Sequence, residues 1–464
     1  MRDFIKKLSQ FSIGSILGAI IGLITVPMTT YFISPEEFGR AGMFVLVQTL
    51  MASFVYLGID QAYVREFHDE ENKKNLFHNA LIAPIMISLL VFIMFGFNTR
   101  FFSNVLFGEE SYTRIIWLVG SMGIFIVFER FILLFIRMEE KALEYSLFNI
   151  ILKILVLLAT IFLLLFVRQD FLTVVYANIF GRITGDIVLF IKYRKLFNIS
   201  GFTFDFELLK KLFLFGAPLI FAVGIGSVLS AFDKIALRGW SSFEQLGIYT
   251  AAFKLVSILL IIQASFTTFW TPTAYRWHKE NKEIKNYKLV SDTILVVMSV
   301  GFISILLFRR GIIWILSPNY SEAQYILGFL CLFPLLYTLS ETTTLGIVFS
   351  RKSHLNIWVS IAAAVSSVVL NFILVPIYGA LGAAISTGLS YIVFFAVRTY
   401  FSFKLWEGFS TKRHILCIVM LTMLAFINLN SSIYVTTMNI LAIVLILLIN
   451  SDVVKVGIRT ILAK

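Results

Sequence analysis

Long apolar runs separated by short charged segments are the feature that most constrains the fold of this chain. Each run approaches the length of about 20 residues with which an α-helix crosses about 30 Å of hydrocarbon. Lipid offers no hydrogen-bond partner to the backbone, and the alternation of a membrane barrel is absent, so we expect α-helices. The predicted fold class is all-α integral membrane, with about 14 transmembrane helices. The fourteen runs cover approximately 10–33, 41–62, 79–98, 115–136, 146–167, 171–191, 211–232, 246–270, 289–308, 324–349, 356–376, 379–400, 413–429 and 433–450.

Composition agrees with a membrane protein and argues against several other classes. Hydrophobic residues make up 59% of the 464 residues and charged residues only 14%, far from the balance of a soluble chain. The formal net charge of +12 is spread between the apolar runs, which argues against a nucleic-acid surface. Cys331 and Cys417 lie inside apolar runs, and the five histidines are scattered. We therefore expect no disulfide, no metal site and no cofactor.

The distribution of Lys and Arg predicts the topology. With the N-terminus in the cytoplasm, the inward connections and termini carry more than three times as many Lys and Arg residues as the outward connections. This is the positive-inside asymmetry, and it predicts an even number of spans with both termini cytoplasmic. The first apolar run, from about Ser9 to Ile33, is too long for a cleaved signal peptide. A basic stripe in the inward segment Arg276–Lys288 could bind membrane lipids, although retention of topology explains it more simply.

An internal repeat divides the chain. The segment Ser34–Gly39 (SPEEFG) follows the first predicted span, and Ser242–Gly247 (SFEQLG) follows the seventh, 208 residues later. Two halves of six spans share one orientation, as in transporters that are built from parallel repeats. We expect an N-terminal six-helix bundle at 1–205, a C-terminal six-helix bundle at 206–405 and an additional two-helix segment at 406–464.

At these landmarks the chain resembles the polysaccharide and O-antigen flippases (Wzx-type) of the multidrug/oligosaccharidyl-lipid/polysaccharide exporter superfamily. The resemblance implies a MATE-like pair of six-helix bundles around a central cavity. It implies as cargo an undecaprenyl-pyrophosphate-linked oligosaccharide, moved from the inner to the outer leaflet by alternating access. The matching residues are Pro27, Phe32–Gly39, Leu57–Ile59, Arg65, Asp233, Lys234, Leu246–Tyr249, Ala252, Lys254, Leu255 and Trp270–Pro272.

Charged residues inside the spans are the candidate site residues. Burial of a charge in hydrocarbon has a high free-energy cost, so a charge found there usually serves a function. Cations suit the pyrophosphate of the cargo, and carboxylates suit ion coupling or gating. The cationic candidates are Lys254, Arg130, Arg182 and Lys153. The coupling or gate candidates are Asp186, Glu341, Glu129 and Asp233.

Each candidate also has a plainer interpretation. Lys254 ranks first because it belongs to the matched motif. Lys153 could simply extend to the inner interface. Arg182 and Asp186 are spaced i,i+4 and could form a structural pair as well as a gate. Arg130 and its neighbour Glu129 must point in different directions.

Asp233, with Lys234, stands at a predicted span end, where it could serve as an interfacial anchor or as an outer gate. The coupling ion is open between proton and sodium.

The competing functions are a peptidoglycan-precursor (lipid II) flippase, a multidrug or cation antiporter of the same superfamily, and a membrane enzyme. The first span has no Arg or Lys beyond its cytoplasmic lead-in, which disfavours lipid II. No carboxylate or histidine cluster near one face supports an enzyme, and no Walker A sequence is present. We expect a monomeric transport unit in the bacterial inner membrane that serves an O-antigen, capsule or teichoic-type pathway. Other polysaccharide-assembly proteins are its candidate partners.

Overall fold

The described part of the chain is almost entirely α-helical. The computed structural model describes residues 2–352 and 354–455, and within these residues 86% of the chain is helical and no strand occurs. A helix satisfies its own backbone hydrogen bonds, which is the requirement that hydrocarbon imposes. The helices are α1 (Arg2–Phe32), α2 (Pro35–Val55), α3 (Ile59–Glu66), α4 (Lys73–Phe97), α5 (Thr99–Phe107), α6 (Thr113–Met138), α7 (Ala142–Phe166), α8 (Phe171–Lys192), α9 (Phe206–Trp240), α10 (Phe243–Lys279), α11 (Ile284–Leu307), α12 (Arg309–Leu316), α13 (Ala323–Thr343), α14 (Leu345–Phe349), α15 (Leu355–Phe403), α16 (Lys412–Ile427) and α17 (Ile433–Ile449).

The helices agree with the predicted apolar runs. Every one of the fourteen runs overlaps at least one helix, while the runs at 356–376 and 379–400 share the 49 residues of α15. Among the described residues, nine helices are long and apolar enough to cross a membrane. The all-α membrane fold is therefore confirmed, whereas the count of fourteen spans stays a prediction.

A break inside α15 separates its two parts. Gly379 has φ +53° and ψ −126°, outside the helical region, and Pro376 stands three residues before it. A Cβ on Gly379 would lie 2.7 Å from Oε1 of Gln245, so glycine is needed here for both conformation and space. Because of this break, the residues of α15 comprise two predicted spans, one on each side of Gly379.

Contacts divide the chain into two compact units, Met1–Lys234 and Ile235–Lys464. The boundary lies inside α9, and the C-terminal helices α16 and α17 pack on α11 within the second unit. The predicted division at 205 and 405 stays a prediction. The last nine residues of the predicted 406–464 segment, 456–464, lie outside the described residues.

Polar contacts hold the C-terminal helix pair at both ends. Arg309 donates hydrogen bonds to the carbonyl oxygens of Asn428 and Asn430, the latter at 2.6 Å. At the other end, Arg413 of α16 donates to both carboxylate oxygens of Asp452, just beyond α17, at 2.9 Å, and so joins the two helices to each other. The bonds of Arg309 attach the pair to the rest of the second unit, in addition to apolar packing.

The repeated motifs make the same contact in each unit. Ser34 caps α2 and Ser242 caps α10, each by accepting a hydrogen bond from the N–H group three residues later. The side chain of that third residue then reaches another helix. Glu37 accepts a 2.9 Å hydrogen bond from the N–H of Phe171 at the start of α8.

In the second unit, Gln245 accepts a 2.9 Å hydrogen bond from the N–H of Ala380, just after the break in α15. Both halves of the repeat therefore bind an otherwise unsatisfied N–H at the start of their sixth predicted span. The two repeated motifs therefore perform the same structural role in the two halves of the chain.

Candidate functional site

A polar cavity lies among the helices of the first unit. Its volume is about 540 Å³, and its walls come from α2, α3, α6, α8 and α9. Every lining residue belongs to the first unit, and the lining combines two guanidinium groups, one carboxylate and several uncharged polar side chains. The lining residues are Gln48, Thr49, Ala52, Ser53, Tyr56, Gly58, Asp60, Gln61, Arg130, Arg182, Leu219 and Ile220.

A tight turn between α2 and α3 positions Asp60 in this cavity. Leu57 and Gly58 both have left-handed backbone conformations, with φ of 51° and 66°. A Cβ on Gly58 would lie 2.4 Å from the carbonyl oxygen of Gly216 on α9, closer than real contacts allow. Glycine at position 58 therefore permits the turn and the close approach of α9, and Asp60 follows in the first turn of α3 with 7% exposure.

Arg130 pairs with Asp60 across the cavity wall. Its Nη2 donates a 2.7 Å hydrogen bond to Oδ2 of Asp60, and Gln61 donates to the same oxygen at 3.0 Å. The Arg130 side chain is 33% exposed, and its Cζ lies 5.7 Å from the ring centroid of Tyr56. The buried Nε of Arg130 has no hydrogen-bond partner within the described residues. Because the guanidinium is partly exposed in the cavity lining and binds Asp60 through Nη2, Arg130 stays accessible to a ligand in the cavity.

Arg182 pairs with Glu129 in a two-bond arrangement. Its Nε donates to Oε2 of Glu129, and its Nη2 donates to Oε1 at 3.1 Å. Arg182 stands near the middle of α8 (Phe171–Lys192), about 15 Å from either end at the rise of an α-helix. A bidentate bond to a carboxylate lowers the cost of holding a guanidinium at this depth.

Asp186 and Lys153 extend the charged group beside the cavity. Asp186 is 1% exposed and is influenced electrostatically by both Glu129 and Arg182. Lys153 on α7 has an exposed side chain and is influenced by Arg182 and Glu129. We call the six residues together the first-unit charge cluster; they are Asp60, Glu129, Arg130, Lys153, Arg182 and Asp186.

The first-unit charge cluster is balanced in formal charge, with three cations and three carboxylates. Asp60, which was not among the predicted site residues, supplies the counter-charge of Arg130. A ligand with a strong negative charge must therefore compete with the carboxylates for the guanidinium groups, which makes exchange of partners the chemistry that the cluster can perform.

The second unit contains an equivalent pair. Arg398 donates a 2.7 Å hydrogen bond to Oε1 of Glu341 and another of 2.7 Å to Oγ of Ser340. Glu341 and Arg398 are nearly buried, with side-chain exposures of 10% and 11%. In each unit a glutamate on the fourth predicted span of the half thus binds an arginine on the sixth.

The remaining candidates have separate positions. Lys254 is half-buried on α10 in the second unit, where its carbonyl oxygen accepts a hydrogen bond from Ser257. Asp233 is buried, at 5% exposure, inside α9, which continues to Trp240. Neither residue is part of the first-unit charge cluster.

Sequence reasoning missed Asp60 and Arg398. Both stand inside predicted apolar runs, at 41–62 and 379–400, close to one end. Their closeness to the end made them resemble flanking charges. The signal that would have identified them is the presence of a single charged residue inside each apolar run, which the rule for intramembrane charges treats as functional.

The fold defines the class of protein first. The chain aligns over 97% of its length with a lipid II flippase, MurJ, in an inward closed conformation, at a TM-score of 0.74, 16% identity and 99% coverage of that chain. It also aligns over 90% of its length with an inward-facing multidrug resistance MATE transporter of the MOP superfamily, at a TM-score of 0.64, 15% identity and 99% coverage of that chain. The MATE-like fold that the resemblance implied is therefore confirmed, and the chain shares this fold with MurJ.

The family is shown by the sequence. A family model described as "Polysaccharide biosynthesis protein" matches residues 4–278, more than half of the chain, so the chain belongs to that family. It is 22% identical over 421 residues to the "Capsular polysaccharide biosynthesis protein CapF" of Staphylococcus aureus, covering 86% of this chain and 98% of the relative. It is 27% identical over 220 residues to a "Putative O-antigen transporter" of Shigella flexneri, covering 46% of this chain and 52% of the relative.

Proposed function

We propose that this protein is a flippase that moves an undecaprenyl-pyrophosphate-linked oligosaccharide from the inner to the outer leaflet of a bacterial inner membrane. Family membership supports a role in polysaccharide biosynthesis, and the names of the capsular and O-antigen relatives are in keeping with export of a glycan precursor. The topology in this proposal is the one that the Lys and Arg distribution predicts, with both termini in the cytoplasm.

The observation that carries the proposal is the pair of arginines at one cavity, each bound to a carboxylate. A pyrophosphate in hydrocarbon has a prohibitive desolvation penalty unless cations and hydrogen bonds replace its water. Arg130 and Arg182 line the same cavity, and a guanidinium binds phosphate oxygens with the fork geometry that it uses for carboxylates. The carboxylates of Asp60 and Glu129 keep these arginines neutralised when no cargo is present.

Cargo binding is then an exchange of partners. The pyrophosphate takes hydrogen bonds from Arg130 and Arg182, while Asp60 and Glu129 lose their partners. The polyprenyl chain stays in lipid, so only the head group needs the hydrated path. Release occurs when the carboxylates recover the guanidinium groups, and alternating access of the cavity to the two leaflets completes transport. Asp186, buried beside this exchange, is the group that we assign to ion coupling.

Deletion of the gene with analysis of the precursor tests this function. We expect finished lipid-linked oligosaccharide to accumulate in the inner leaflet and surface glycan to be lost, with recovery on complementation by the wild-type gene. Complementation by Arg130→Ala should fail at equal protein abundance in the membrane. Normal surface glycan without precursor accumulation, in a strain that has no second flippase of the family, would contradict the cargo assignment.

A further inference from the structure

A second cavity, unrelated to the first-unit charge cluster, lies in the second unit. Its volume is about 580 Å³, and it is formed where the start of α10, the start of α13 and the break in α15 come together. The polar side chains that line it are Ser241, Gln245, Glu322, Tyr325 and Tyr378. In the predicted topology, all of these residues follow odd-numbered spans, so the cavity opens on the outer side of the membrane.

The charge of this cavity is opposite to what a phosphate needs. Its lining includes the carboxylate of Glu322, and the residues that form it include no Lys, Arg or His. A diphosphate would meet the negative charge of Glu322 here, with no basic side chain among the described lining residues to offset it. Hydroxyl groups, in contrast, donate readily to a carboxylate, and hydrogen bonds to a charged acceptor are stronger than neutral ones.

Hydrogen bonds fix the positions of Gln245 and Glu322 at the cavity. Nε2 of Gln245 donates to Oε2 of Glu322 at 3.0 Å, while Oε1 of Gln245 accepts from the N–H of Ala380 at 2.9 Å. Gln245 is thus fixed at both ends of its amide. Because Gln245 binds only one oxygen of Glu322 and that side chain is exposed, the carboxylate stays accessible from the cavity.

Two tyrosines supply the apolar surface that a sugar ring requires. Tyr378 is 52% exposed, immediately before the break at Gly379, and Tyr325 is half-buried with Arg309 5.9 Å from its ring centroid. An aromatic ring with a polar tip contacts the C–H face of a pyranose and bonds its hydroxyls at once. A carboxylate, a fixed amide and exposed tyrosines around one cavity match an uncharged or amino sugar.

We infer that this cavity binds the oligosaccharide part of the cargo, with Glu322 and Tyr378 as its specificity-determining residues. The inference rests on the proposed flippase function, and it separates two tasks within the chain. The first-unit charge cluster binds the pyrophosphate, whereas the outer cavity of the second unit recognises sugar hydroxyls. The site is therefore selective for the glycan rather than for the lipid carrier.

Binding of a lipid-free glycan tests the inference directly. The probe is the oligosaccharide released by mild acid from the precursor of the same cells, and saturation-transfer NMR on the full chain in nanodiscs measures its dissociation constant. We expect Glu322→Gln to weaken binding by about tenfold, the size of one charge-assisted hydrogen bond, and Tyr378→Ala to weaken it by a similar factor through loss of the ring contact and the hydroxyl. Tyr378→Phe, which keeps the ring, should lose less than Tyr378→Ala and serves as the folding control.

Parallel measurements separate this inference from the proposed function. Inorganic pyrophosphate should bind the Tyr378→Ala and Glu322→Gln variants as well as it binds wild type. If wild type transports the precursor but the free glycan does not bind, or binds all variants equally, the outer site is refuted and the flippase function stands. Binding of tetraphenylphosphonium that is lost in Glu322→Gln, without glycan binding, would identify a cation site and also refute the inference.

Discussion

The guanidinium group of Arg130 on α6 donates a 2.7 Å hydrogen bond to the carboxylate of Asp60, which follows the turn between α2 and α3. This bond connects two segments that are 70 residues apart in sequence and fixes both at the wall of one cavity. It also leaves Arg130 one-third exposed, so that the arginine is neutralised but still accessible to a ligand. The account of transport depends on this combination.

Replacement of Arg130 tests the role of its fork geometry. Arg130→Ala should reduce precursor transport by at least about tenfold, because a charge-assisted bond to the pyrophosphate is lost and Asp60 keeps an uncompensated charge. Arg130→Lys should recover only part of the activity, since an ammonium cannot bind two oxygens in one plane. Transport is measured with radiolabelled precursor in proteoliposomes.

The control for this series is Arg168→Ala. Arg168 also bonds an aspartate, Asp170, but it stands between α7 and α8 and is not part of the cavity lining. Its loss should leave transport near the wild-type rate. Equal losses in the Arg130 and Arg168 variants would mean that a general decrease in stability, not the cavity, explains the effect.

Glu129 should act as a competitor of the cargo for Arg182. Glu129→Gln removes the charge that binds Arg182, so binding of inorganic pyrophosphate should tighten, by about twofold to fivefold if the pair contributes about 0.4–1 kcal/mol, as a weak ion pair does. Arg182→Ala should weaken the same binding. Titration calorimetry on the purified chain measures both, and opposite directions for the two variants are the expected signature.

Glu144→Gln is the matched control for that experiment. Glu144 forms an ion pair of 2.5 Å with Lys192 and accepts a hydrogen bond from Tyr193, and none of the three lines the cavity. Its replacement should leave pyrophosphate affinity unchanged. If Glu129→Gln instead weakens binding as much as Arg182→Ala does, the exchange of partners is wrong and Glu129 only holds the structure.

Gly58 should tolerate no side chain. Gly58→Ala places a Cβ 2.4 Å from the carbonyl oxygen of Gly216 and also strains a residue at φ 66°. The strain alone is about 1–3 kcal/mol, and the contact adds to it. We expect a clear decrease of the thermal unfolding temperature in detergent and a loss of transport.

Gly201→Ala isolates the contribution of that contact. Gly201 has a similar φ of 80°, yet nothing lies within 4 Å of its Cβ position. It should show the backbone strain without the collision and keep transport. If Gly58→Ala and Gly201→Ala lost the same stability, the close approach of α9 to the α2–α3 turn would not be the cause of the instability of Gly58→Ala.

The repeated caps should contribute to stability in both units. Glu37→Ala removes the acceptor for the N–H of Phe171 and an ion pair with Arg40, and Gln245→Ala removes the acceptor for the N–H of Ala380. Each should destabilise the protein by about 1 kcal/mol, as for other caps. Glu36→Ala is the control, because Glu36 is largely exposed and bonds only Arg40 among the described contacts. If the Glu36 and Glu37 variants were equally stable, the hydrogen bond from Phe171 to Glu37 would not contribute to stability.

Much of the fold was predictable because hydrocarbon imposes simple rules. A run of apolar residues long enough to cross the bilayer must be helical. The runs at 79–98 and 146–167 accordingly predicted α4 and α7, with boundaries close to the observed ones. The repeat was also visible, since Ser34 and Ser242 begin matching motifs. The break at Gly379 was predicted only as a boundary between two apolar runs. Whether the helix continues beyond such a boundary depends on three-dimensional geometry, which the sequence does not show.

The partners of the charged residues were less predictable. Local spacing suggested that Arg182 would pair with Asp186 one turn away, whereas its hydrogen bonds go to Glu129 on α6. Asp60 was not predicted as a site residue, because its role depends on the turn at Gly58 and on Arg130, which is 70 residues away in sequence. Sequence shows which charges are buried in a membrane, but pairing between helices depends on how the helices pack.

The most direct test is precursor translocation by the purified chain. Liposomes that contain the lipid-linked oligosaccharide in both leaflets are exposed to a membrane-impermeant glycosidase, and the protected fraction is followed over time. We expect wild-type protein to make the inner pool accessible, while Arg130→Ala and Arg182→Ala leave about half of the precursor protected, the share of the inner leaflet. Equal accessibility with both arginine variants and wild type would show that the charged cavity of the first unit does not carry the head group.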